Sequence, residues 1–257
     1  MVCHRRQLPA KCATLAAALV LSLIGCSPQK SKPSVTVAAA ANLTDVFTGI
    51  GRKFEAQTGI HPVFSFASTA QLTLQIENAA PFDVFAAADS DHVAQLDKKG
   101  LLSPGTRAVY ARGVLALWIP DDSAAIQDIR DLTSPRIRVV ALAKPDLAPY
   151  GQAAVETLHS LNVWDAVQPK LVYAENISVA TQYGKSKNAD AVFTAYSLVL
   201  DESGKVIRVD ERLHRPIDQE LGIISSSAHQ ADARKFTAFL LGGEGKSILA
   251  ATGYTVP

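Results

Sequence analysis

The chain has 257 residues, of which 48% are hydrophobic and 19% are charged, and its formal net charge is +1. This length predicts one large or two small globular domains, and the near-neutral charge gives no electrostatic reason to expect nucleic acid as a partner. The three cysteines, Cys3, Cys12 and Cys26, all lie at the start of the chain. The rest of the sequence therefore excludes disulfides, thiolate metal sites and cysteine nucleophiles.

Residues 1–25 are predicted to be a signal peptide. Two arginines and a lysine precede an apolar run over residues 12–24, which is too short for a stable membrane span. The run ends in LIGC at residues 23–26, which resembles the lipobox of bacterial lipoproteins and so implies lipidation of Cys26. An uncleaved membrane anchor is the alternative. The remainder has 22 basic and 24 acidic residues, because the first 25 residues hold three basic residues and no acidic one.

Strand-then-helix units are predicted three times between residues 34 and 99. A short β-branched run that begins at Ser34 and leads into four alanines, and strands at residues 60–66 and 81–88, are each followed by an amphipathic helix, which predicts a parallel α/β sheet. The N–H groups at a helix start lack intrahelical partners, and the helix dipole favours an anion there. Polar residues occupy the first two of these starts, namely Asn42, which is expected to cap its helix, and the pair Ser68 and Thr69.

A second lobe is predicted in the middle of the chain. An apolar strand over residues 110–119 is expected to cross to it, and the last helices are expected to return to the first lobe. The predicted architecture is α/β, with two lobes, each a mixed sheet flanked by helices, and a ligand cleft between them. The predicted divisions are a signal peptide over 1–25, a tether over 26–34, lobe I over 35–117, lobe II over 118–210 and a return to lobe I over 211–257.

Motifs for catalysis or a bound metal are not evident. The sequence has no G-x-S-x-G motif, and its six histidines include no pair spaced i, i+4. Asp83, Asp89 and Asp91 suggest a cation site, but they fit a strand end and a helix cap better. An enzyme needs an activated nucleophile, and Ser68 and Thr69 have no histidine nearby in sequence.

Neutral groups at predicted helix starts are the remaining candidates for a binding site. No lysine or arginine lies in these stretches, which predicts a dianion held by neutral donors. Hydrogen bonds to a charged partner contribute about 1.5–3 kcal/mol each, so that six of them offset an association cost of about 4–15 kcal/mol. The stretches are Asn42, Ser68 and Thr69, Tyr150 and Gly151, and Asn176 and Ile177.

Five segments resemble the periplasmic molybdate-binding proteins of ABC importers. They are VAAAANLTDVF, FSFASTAQLTLQIENAAPFDVFAAAD, PDLAPYGQAA, YAENISVA and EGKSILAATGYTVP, and the resemblance extends over residues 35–257. It implies a type II periplasmic binding protein fold that closes on molybdate or tungstate, with no cofactor and no enzymatic activity. It also implies a monomer, held by its lipid anchor in the periplasm or at the cell surface, that delivers the oxyanion to an ABC permease in the inner membrane.

The resemblance also assigns the ligand contacts. Tyr150 and Ile177 are expected to donate from the backbone. The family's fifth contact, a tyrosine hydroxyl in some members, aligns with Thr194, and Tyr196 lies two residues on along the same face of a strand. The residues carried over are Asn42, Ser68, Thr69, Tyr150, Ile177, Thr194 and Tyr196.

Two alternative functions stay open at this point. A receptor for sulfate, thiosulfate or phosphate would use the same fold. Phosphate keeps a proton near neutral pH and so requires an acceptor, and sulfate is smaller, so pocket size must reject it. A hydrolase or transferase built on this fold is the alternative from another class.

Overall fold

The computed structural model describes residues 1–2, 32–120 and 126–257. Residues 32–257 form one compact unit. The predicted lipidation site Cys26 lies outside the described residues, as does nearly all of the predicted signal peptide. Within the described part of the chain, no helix is long and apolar enough to cross a membrane.

Strands and helices alternate along residues 34–251. The strands are β1 (Ser34–Ala40), β2 (His61–Ala67), β3 (Val84–Ala86), β4 (Ala108–Gly113), β5 (Leu115–Ile119), β6 (Val140–Ala143), β7 (Leu171–Ala174), β8 (Ala191–Ala195), β9 (Lys205–Arg208) and β10 (Ile217–Ile223). The helices are α1 (Thr44–Thr58), α2 (Thr69–Glu77), α3 (Asp91–Lys98), α4 (Pro149–Ser160), α5 (Trp164–Val167), α6 (Ile177–Lys185), α7 (Gln230–Leu241) and α8 (Gly243–Ala251).

Two mixed five-stranded sheets organise these elements. The first has the order β2-β1-β3-β10-β4, with β1 parallel to β2 and β3 and with β10 antiparallel to both of its neighbours. The second has the order β7-β6-β8-β5-β9, with β6 parallel to β7 and β8 and with β5 antiparallel to β8 and β9. We call the first sheet with α1–α3, α7 and α8 lobe I, and the second with α4–α6 lobe II. The predicted two-lobed α/β architecture is confirmed.

The chain passes from the first sheet to the second at Val114. β4 ends at Gly113 and β5 begins at Leu115, so the strand predicted over residues 110–119 is two strands in different sheets. The break is not visible in composition, because β5 is entirely buried and apolar and continues the apolar run of β4. The predicted end of the first part of lobe I, at residue 117, falls inside β5.

The chain returns to the first sheet between β9 and β10. The predicted division after residue 210 lies in this interval. The apolar pattern of the sequence also predicts a strand over residues 220–225, and β10 begins three residues earlier, at Ile217. Asp218 and Gln219 are polar and interrupt the apolar pattern near the start of β10. The first residues of this strand therefore do not have the sequence pattern of a buried strand.

Parallel strands lead into helices at the facing edges of the two sheets. In lobe I, β1 leads through a 3-10 turn into α1, and β2 leads into α2. In lobe II, β6 precedes α4 and β7 precedes α6. Each helix is held by its apolar face; on α1, Phe54 packs edge-on against Phe236 with ring centroids 5.3 Å apart, and both rings are buried. Four helix starts are thereby directed at the cleft.

Candidate functional site

A small cavity lies where these four helix starts meet. Its lining comes from both lobes, and five of the seven predicted oxyanion-binding residues belong to it. No charged side chain is part of this lining. The lining residues are Ala40, Ala41, Asn42, Ser68, Thr69, Ala88, Ala148, Pro149, Tyr150 and Ile177.

Asn42 lies in the 3-10 turn between β1 and α1, and its side chain is 1% exposed. Its Nδ2 donates to Gln219 Oε1 at 3.1 Å and to Tyr254 Oη at 3.0 Å. Both amide hydrogens are therefore engaged. The expectation that Asn42 caps α1 is wrong, because its Oδ1 accepts no N–H group from the turn that follows. α1 begins at Thr44, whose hydroxyl donates to the carbonyl oxygen of Ala41 at 2.8 Å. Asn42 Oδ1 has no hydrogen-bond partner among the described residues.

Ser68 and Thr69 open α2 and differ in role. Ser68 is the N-cap. Its hydroxyl accepts from the Gln71 N–H at 3.4 Å and its backbone N–H donates to Gln71 Oε1 at 3.2 Å, which forms a capping box, and the hydroxyl also donates to Gln71 Oε1 at 2.7 Å. The Thr69 hydroxyl accepts from the N–H of Ala88 at 3.1 Å. Among the described residues, no acceptor takes the hydrogen of the Thr69 hydroxyl, so Thr69 is the side chain of this pair that is equipped to donate to a ligand.

The first turn of α4 carries Tyr150. Pro149 occupies the first helical position, where a missing N–H costs nothing. A Cβ at Gly151 would lie 2.1 Å from the carbonyl oxygen of Ala143, so only glycine lets α4 approach the end of β6 this closely. The Tyr150 ring is 1% exposed, and burial raises the pKa of its hydroxyl well above the usual value. The N–H of Tyr150 belongs to the helix positions that have no intrahelical acceptor.

Ile177 is the first residue of α6. Asn176 caps this helix, because its Oδ1 accepts from the N–H of Val179 at 3.0 Å. The cap fixes the first turn, so the Ile177 N–H is directed by the backbone and does not depend on the apolar side chain. The next residue, Ser178, donates from its hydroxyl to the carbonyl oxygen of Ala41 in lobe I at 2.8 Å.

Direct hydrogen bonds join the lobes around the cavity. Besides the bond from Ser178, the N–H of Ala70 in α2 donates to the carbonyl oxygen of Leu147 in lobe II at 3.2 Å. Gln219 Nε2 in lobe I donates to the Tyr150 hydroxyl in lobe II at 3.0 Å. The lobes are therefore in contact, and the cavity is enclosed between them.

Thr194 and Tyr196 do not belong to the cavity lining. Thr194 on β8 is fully buried, and its hydroxyl lies 2.6 Å from that of Thr181 on α6 in the same lobe. Tyr196 follows β8, and its ring lies under the guanidinium of Arg208, 5.0 Å from the centroid. Alignment alone therefore selected two residues whose side chains have partners outside the cavity.

Three residues that hydrogen-bond around the cavity were not predicted from the sequence, namely Ser178, Gln219 and Tyr254. Gln219 is fully buried on β10 and bonds Asn42 and Tyr150, while Tyr254 bonds Asn42 from the C-terminal segment. Gln219 stands between Asp218 and Glu220, so the sequence around it gives no local signal that its side chain is buried. Its partners lie far away along the chain, so no spacing rule leads to them.

The chemistry of this cavity is that of hydrogen-bond donors without cations. In the described part of the chain, no three histidine, cysteine, aspartate or glutamate side chains come together to hold a metal ion. Residues at helix starts in both lobes line the space, and no acceptor among the described residues takes the hydrogen of the Thr69 hydroxyl. Helix starts suit a compact anion, because their unpaired N–H groups and the helix dipole both favour negative charge.

Comparisons with known proteins give a consistent result. Residues 35–255 match the family model described as "Bacterial extracellular solute-binding protein". The "Molybdate-binding protein ModA" of Rhodobacter capsulatus is 34% identical over 241 residues, which cover 93% of this chain and 95% of that protein. The ModA protein of Azotobacter vinelandii is also 34% identical, over 93% of this chain and 96% of that protein.

Solved structures extend the comparison to the fold. The periplasmic molybdate-binding protein of Azotobacter vinelandii superposes with a TM-score of 0.84 at 30% identity, over 87% of this chain and 99% of that one. The sulfate-binding protein SubI of Mycobacterium tuberculosis superposes with a TM-score of 0.75 at 16% identity, over 86% of each chain, and shares the fold alone.

Proposed function

The chain belongs to the ModA-type family of bacterial extracellular solute-binding proteins, and on that premise we propose that it captures molybdate, and tungstate with it, for an ABC importer. The observation that carries the proposal is the cavity between the lobes, lined by uncharged helix starts from both of them. Asn42, Ser68, Thr69, Tyr150 and Ile177 form the proposed site. The protein has no catalytic role and no cofactor in this proposal.

The donor set supports a fully ionised tetrahedral oxyanion. Backbone N–H groups at four helix starts and the Thr69 hydroxyl offer hydrogen atoms in several directions, and the helix dipoles add attraction. Bonds of this charge-assisted kind contribute about 1.5–3 kcal/mol each. Sulfate carries the same charge as molybdate and is smaller, so selectivity between these dianions would have to come from the size of the space.

One observation favours a second candidate, a protonated oxyanion such as hydrogen phosphate. Asn42 Oδ1 is a buried acceptor without a partner among the described residues, on a residue that lines the cavity. A ligand that carries a proton would satisfy it. Molybdate is fully ionised near neutral pH and would leave it unpaired.

The proposed function also includes delivery of the bound oxyanion to an ABC permease. The lipidated Cys26 and the tether over residues 26–34 would hold the protein at a membrane in the periplasm or at the cell surface. From there the monomer would pass the oxyanion to the permease. Lobes that meet through a few hydrogen bonds suit this task, because opening them releases the ligand.

Calorimetric titration with molybdate, tungstate, sulfate and phosphate tests the proposal. We expect molybdate and tungstate to bind with similar affinity and sulfate and phosphate to bind far more weakly. Equal affinity for sulfate and molybdate would refute selection by size. Tight phosphate binding near neutral pH, where hydrogen phosphate carries one proton, together with much weaker molybdate binding would establish the second candidate instead.

A further inference from the structure

A buried glutamine joins the two sides of the cavity. Gln219 lies on β10 in lobe I and is fully buried. Its Oε1 accepts from Asn42 Nδ2 at 3.1 Å and from Tyr110 Oη at 2.9 Å, and its Nε2 donates to Tyr150 Oη at 3.0 Å. Asn42 and Tyr150 line the cavity from opposite lobes. One amide group therefore contacts a cavity-lining residue of each lobe.

The bond between Gln219 and Tyr150 lies against the first crossing between the lobes. β4 ends there at Gly113. A Cβ at Gly113 would lie 2.1 Å from Tyr150 Oη and 2.7 Å from Gln219 Nε2. The Tyr150 hydroxyl and the Gln219 amide therefore occupy the space that a side chain at Gly113 would fill. The Tyr150 hydroxyl is thus positioned both by the backbone at Gly113 and by Gln219 on β10.

Tyr254 adds a second connection to the same group of residues. Its hydroxyl accepts from Asn42 Nδ2 and from Ser197 Oγ, both at 3.0 Å, and donates to the carbonyl oxygen of Asn42 at 2.8 Å. Ser197 follows β8 in lobe II, whereas Tyr254 follows α8 in lobe I. Asn42 is thus held on two sides by groups that also bond lobe II.

The hydrogen bond between the Gln219 amide and the Tyr150 hydroxyl forms only when the two lobes are in contact. With the lobes together, water does not reach Gln219, so its amide hydrogen needs the Tyr150 hydroxyl as acceptor. With the lobes apart, water can replace that hydroxyl. Removing the hydroxyl therefore destabilises the arrangement with the lobes in contact more than the open one.

We infer that Gln219 is a positioning residue that couples contact between the lobes to ligand capture through its bond to the Tyr150 hydroxyl. Gln219 does not line the cavity and acts through Asn42 and Tyr150. The inference rests on the proposed function, since it concerns the same cavity. It assigns to the Tyr150 side chain a role that is separate from the backbone N–H of that residue.

The test compares Tyr150→Phe with Thr157→Val in the full chain. Tyr150→Phe removes one buried hydroxyl that bonds across the lobes and keeps the backbone N–H. Thr157→Val is the matched control, because Thr157 is a fully buried hydroxyl on the same helix whose bond, to the carbonyl oxygen of Ala153 at 2.8 Å, stays within α4. Molybdate titration, release of radiolabelled molybdate and small-angle X-ray scattering without ligand are measured for each protein.

We expect Tyr150→Phe to lower molybdate affinity about 5- to 30-fold, mostly through faster release. The radius of gyration without ligand should increase, and saturating molybdate should restore it. Thr157→Val should lower the melting temperature and leave affinity and radius unchanged. Gln219→Met, which keeps the side-chain length but removes the amide, should lower affinity at least as much as Tyr150→Phe, because Asn42 and Tyr110 lose their acceptor as well. The double variant should be no weaker than Gln219→Met alone.

Several results would overturn the inference. One is wild-type affinity and radius in Tyr150→Phe; another is an equal loss of affinity in Thr157→Val. If Tyr150→Phe does not fold, Gln219→Met decides the question by the same measurements. If the wild-type protein binds no oxyanion, the proposed function fails, and scattering without ligand still decides whether the bond holds the lobes together.

Discussion

Thr69 is the cavity residue whose side chain has the clearest chemical role. Its hydroxyl oxygen accepts from the Ala88 N–H, which orients the oxygen and leaves the hydroxyl hydrogen for a ligand. The hydroxyl of the adjacent Ser68 is occupied by the capping box. The sequence predicted both residues together, and the hydrogen bonds separate a binding hydroxyl from a structural one.

Thr69→Val should lower molybdate affinity by about 10- to 150-fold, because a charge-assisted donor of about 1.5–3 kcal/mol is lost. It should also lower the melting temperature, since the Ala88 N–H loses its acceptor. Thr73→Val is the control; the Thr73 hydroxyl bonds within α2, to the carbonyl oxygen of Thr69 at 2.9 Å. Thr69→Ser should restore most of the affinity, and wild-type affinity in Thr69→Val would show that the hydroxyl does not contact the ligand.

Tyr196→Phe should leave molybdate affinity unchanged within about twofold, although the family resemblance made Tyr196 a candidate. Its ring lies outside the cavity, beneath Arg208. Thr194→Val should also leave molybdate affinity unchanged. It should lower the free energy of unfolding, because the Thr181 hydroxyl loses its buried hydrogen-bond partner. Calorimetry checks the first effect and thermal unfolding the second. A large loss of affinity in either variant would return that residue to the site.

At the scale of the elements, local patterns predicted the helix starts well. The Ser68 and Gln71 pair, Pro149 and Asn176 each mark a helix start through contacts within three residues, and such contacts can be recognised from the sequence. Asn42 shows the limit. Its amide nitrogen donates to Gln219, 177 residues away, and this contact fixes the side chain in an orientation in which Oδ1 does not cap the adjacent helix.

The break between β4 and β5 was not predictable for a related reason. Both strands are apolar, and one continuous strand satisfies the same periodicity. What separates them is the pairing of β4 with β10 and of β5 with β8 and β9, and these partners lie 70 or more residues further along the chain. Local sequence determines that strands form here, whereas distant partners determine which sheet each one joins.

Helix α6 contributes a bond between the lobes that does not involve the ligand. Ser178→Ala removes the donor to the carbonyl oxygen of Ala41, and it should speed the release of radiolabelled molybdate about 2- to 12-fold, because a neutral hydrogen bond contributes about 0.5–1.5 kcal/mol. The association rate should stay unchanged, since the bond forms only when the lobes meet. Ser186→Ala is the control, because the Ser186 hydroxyl bonds within α6 and is exposed. Unchanged release in Ser178→Ala would exclude a role for this bond in retention.

For the molecule as a whole, three buried tyrosines predict loss of stability at alkaline pH. Burial raises the pKa of Tyr254 to about 12, and burial also raises the pKa values of Tyr110 and Tyr150 well above normal. Unfolded tyrosine has a pKa of about 10. Above pH 10 the unfolded chain loses these protons first, so the stability that the protonated phenols provide is complete below pH 10 and declines as pH rises through 12.

Chemical unfolding at a series of pH values should therefore show a free energy of unfolding that falls between about pH 10 and 12. The slope should be smaller in Tyr254→Phe. In an absorbance titration, three of the six tyrosines should ionise only as the protein unfolds. Ionisation of all six near pH 10 in the folded protein would contradict the burial described for these residues.

The proposed anchor also concerns the whole molecule. Cys26→Ala should move the protein from the membrane fraction to the soluble fraction, because stable attachment requires acyl chains. Molybdate binding should not change, since the folded unit begins after this residue. A Cys26→Ala protein that stays with membranes at high salt would support the uncleaved anchor instead.

The bond between Asn42 and Tyr254 has a consequence for a chain that is still being synthesised. The two residues are 212 positions apart, and every residue that lines the cavity precedes residue 178. A nascent chain that has reached residue 240 contains the whole lining and lacks the tyrosine that bonds Asn42. We expect such a chain to bind the oxyanion less tightly than the full chain, because Asn42 Nδ2 then keeps Gln219 alone as its acceptor.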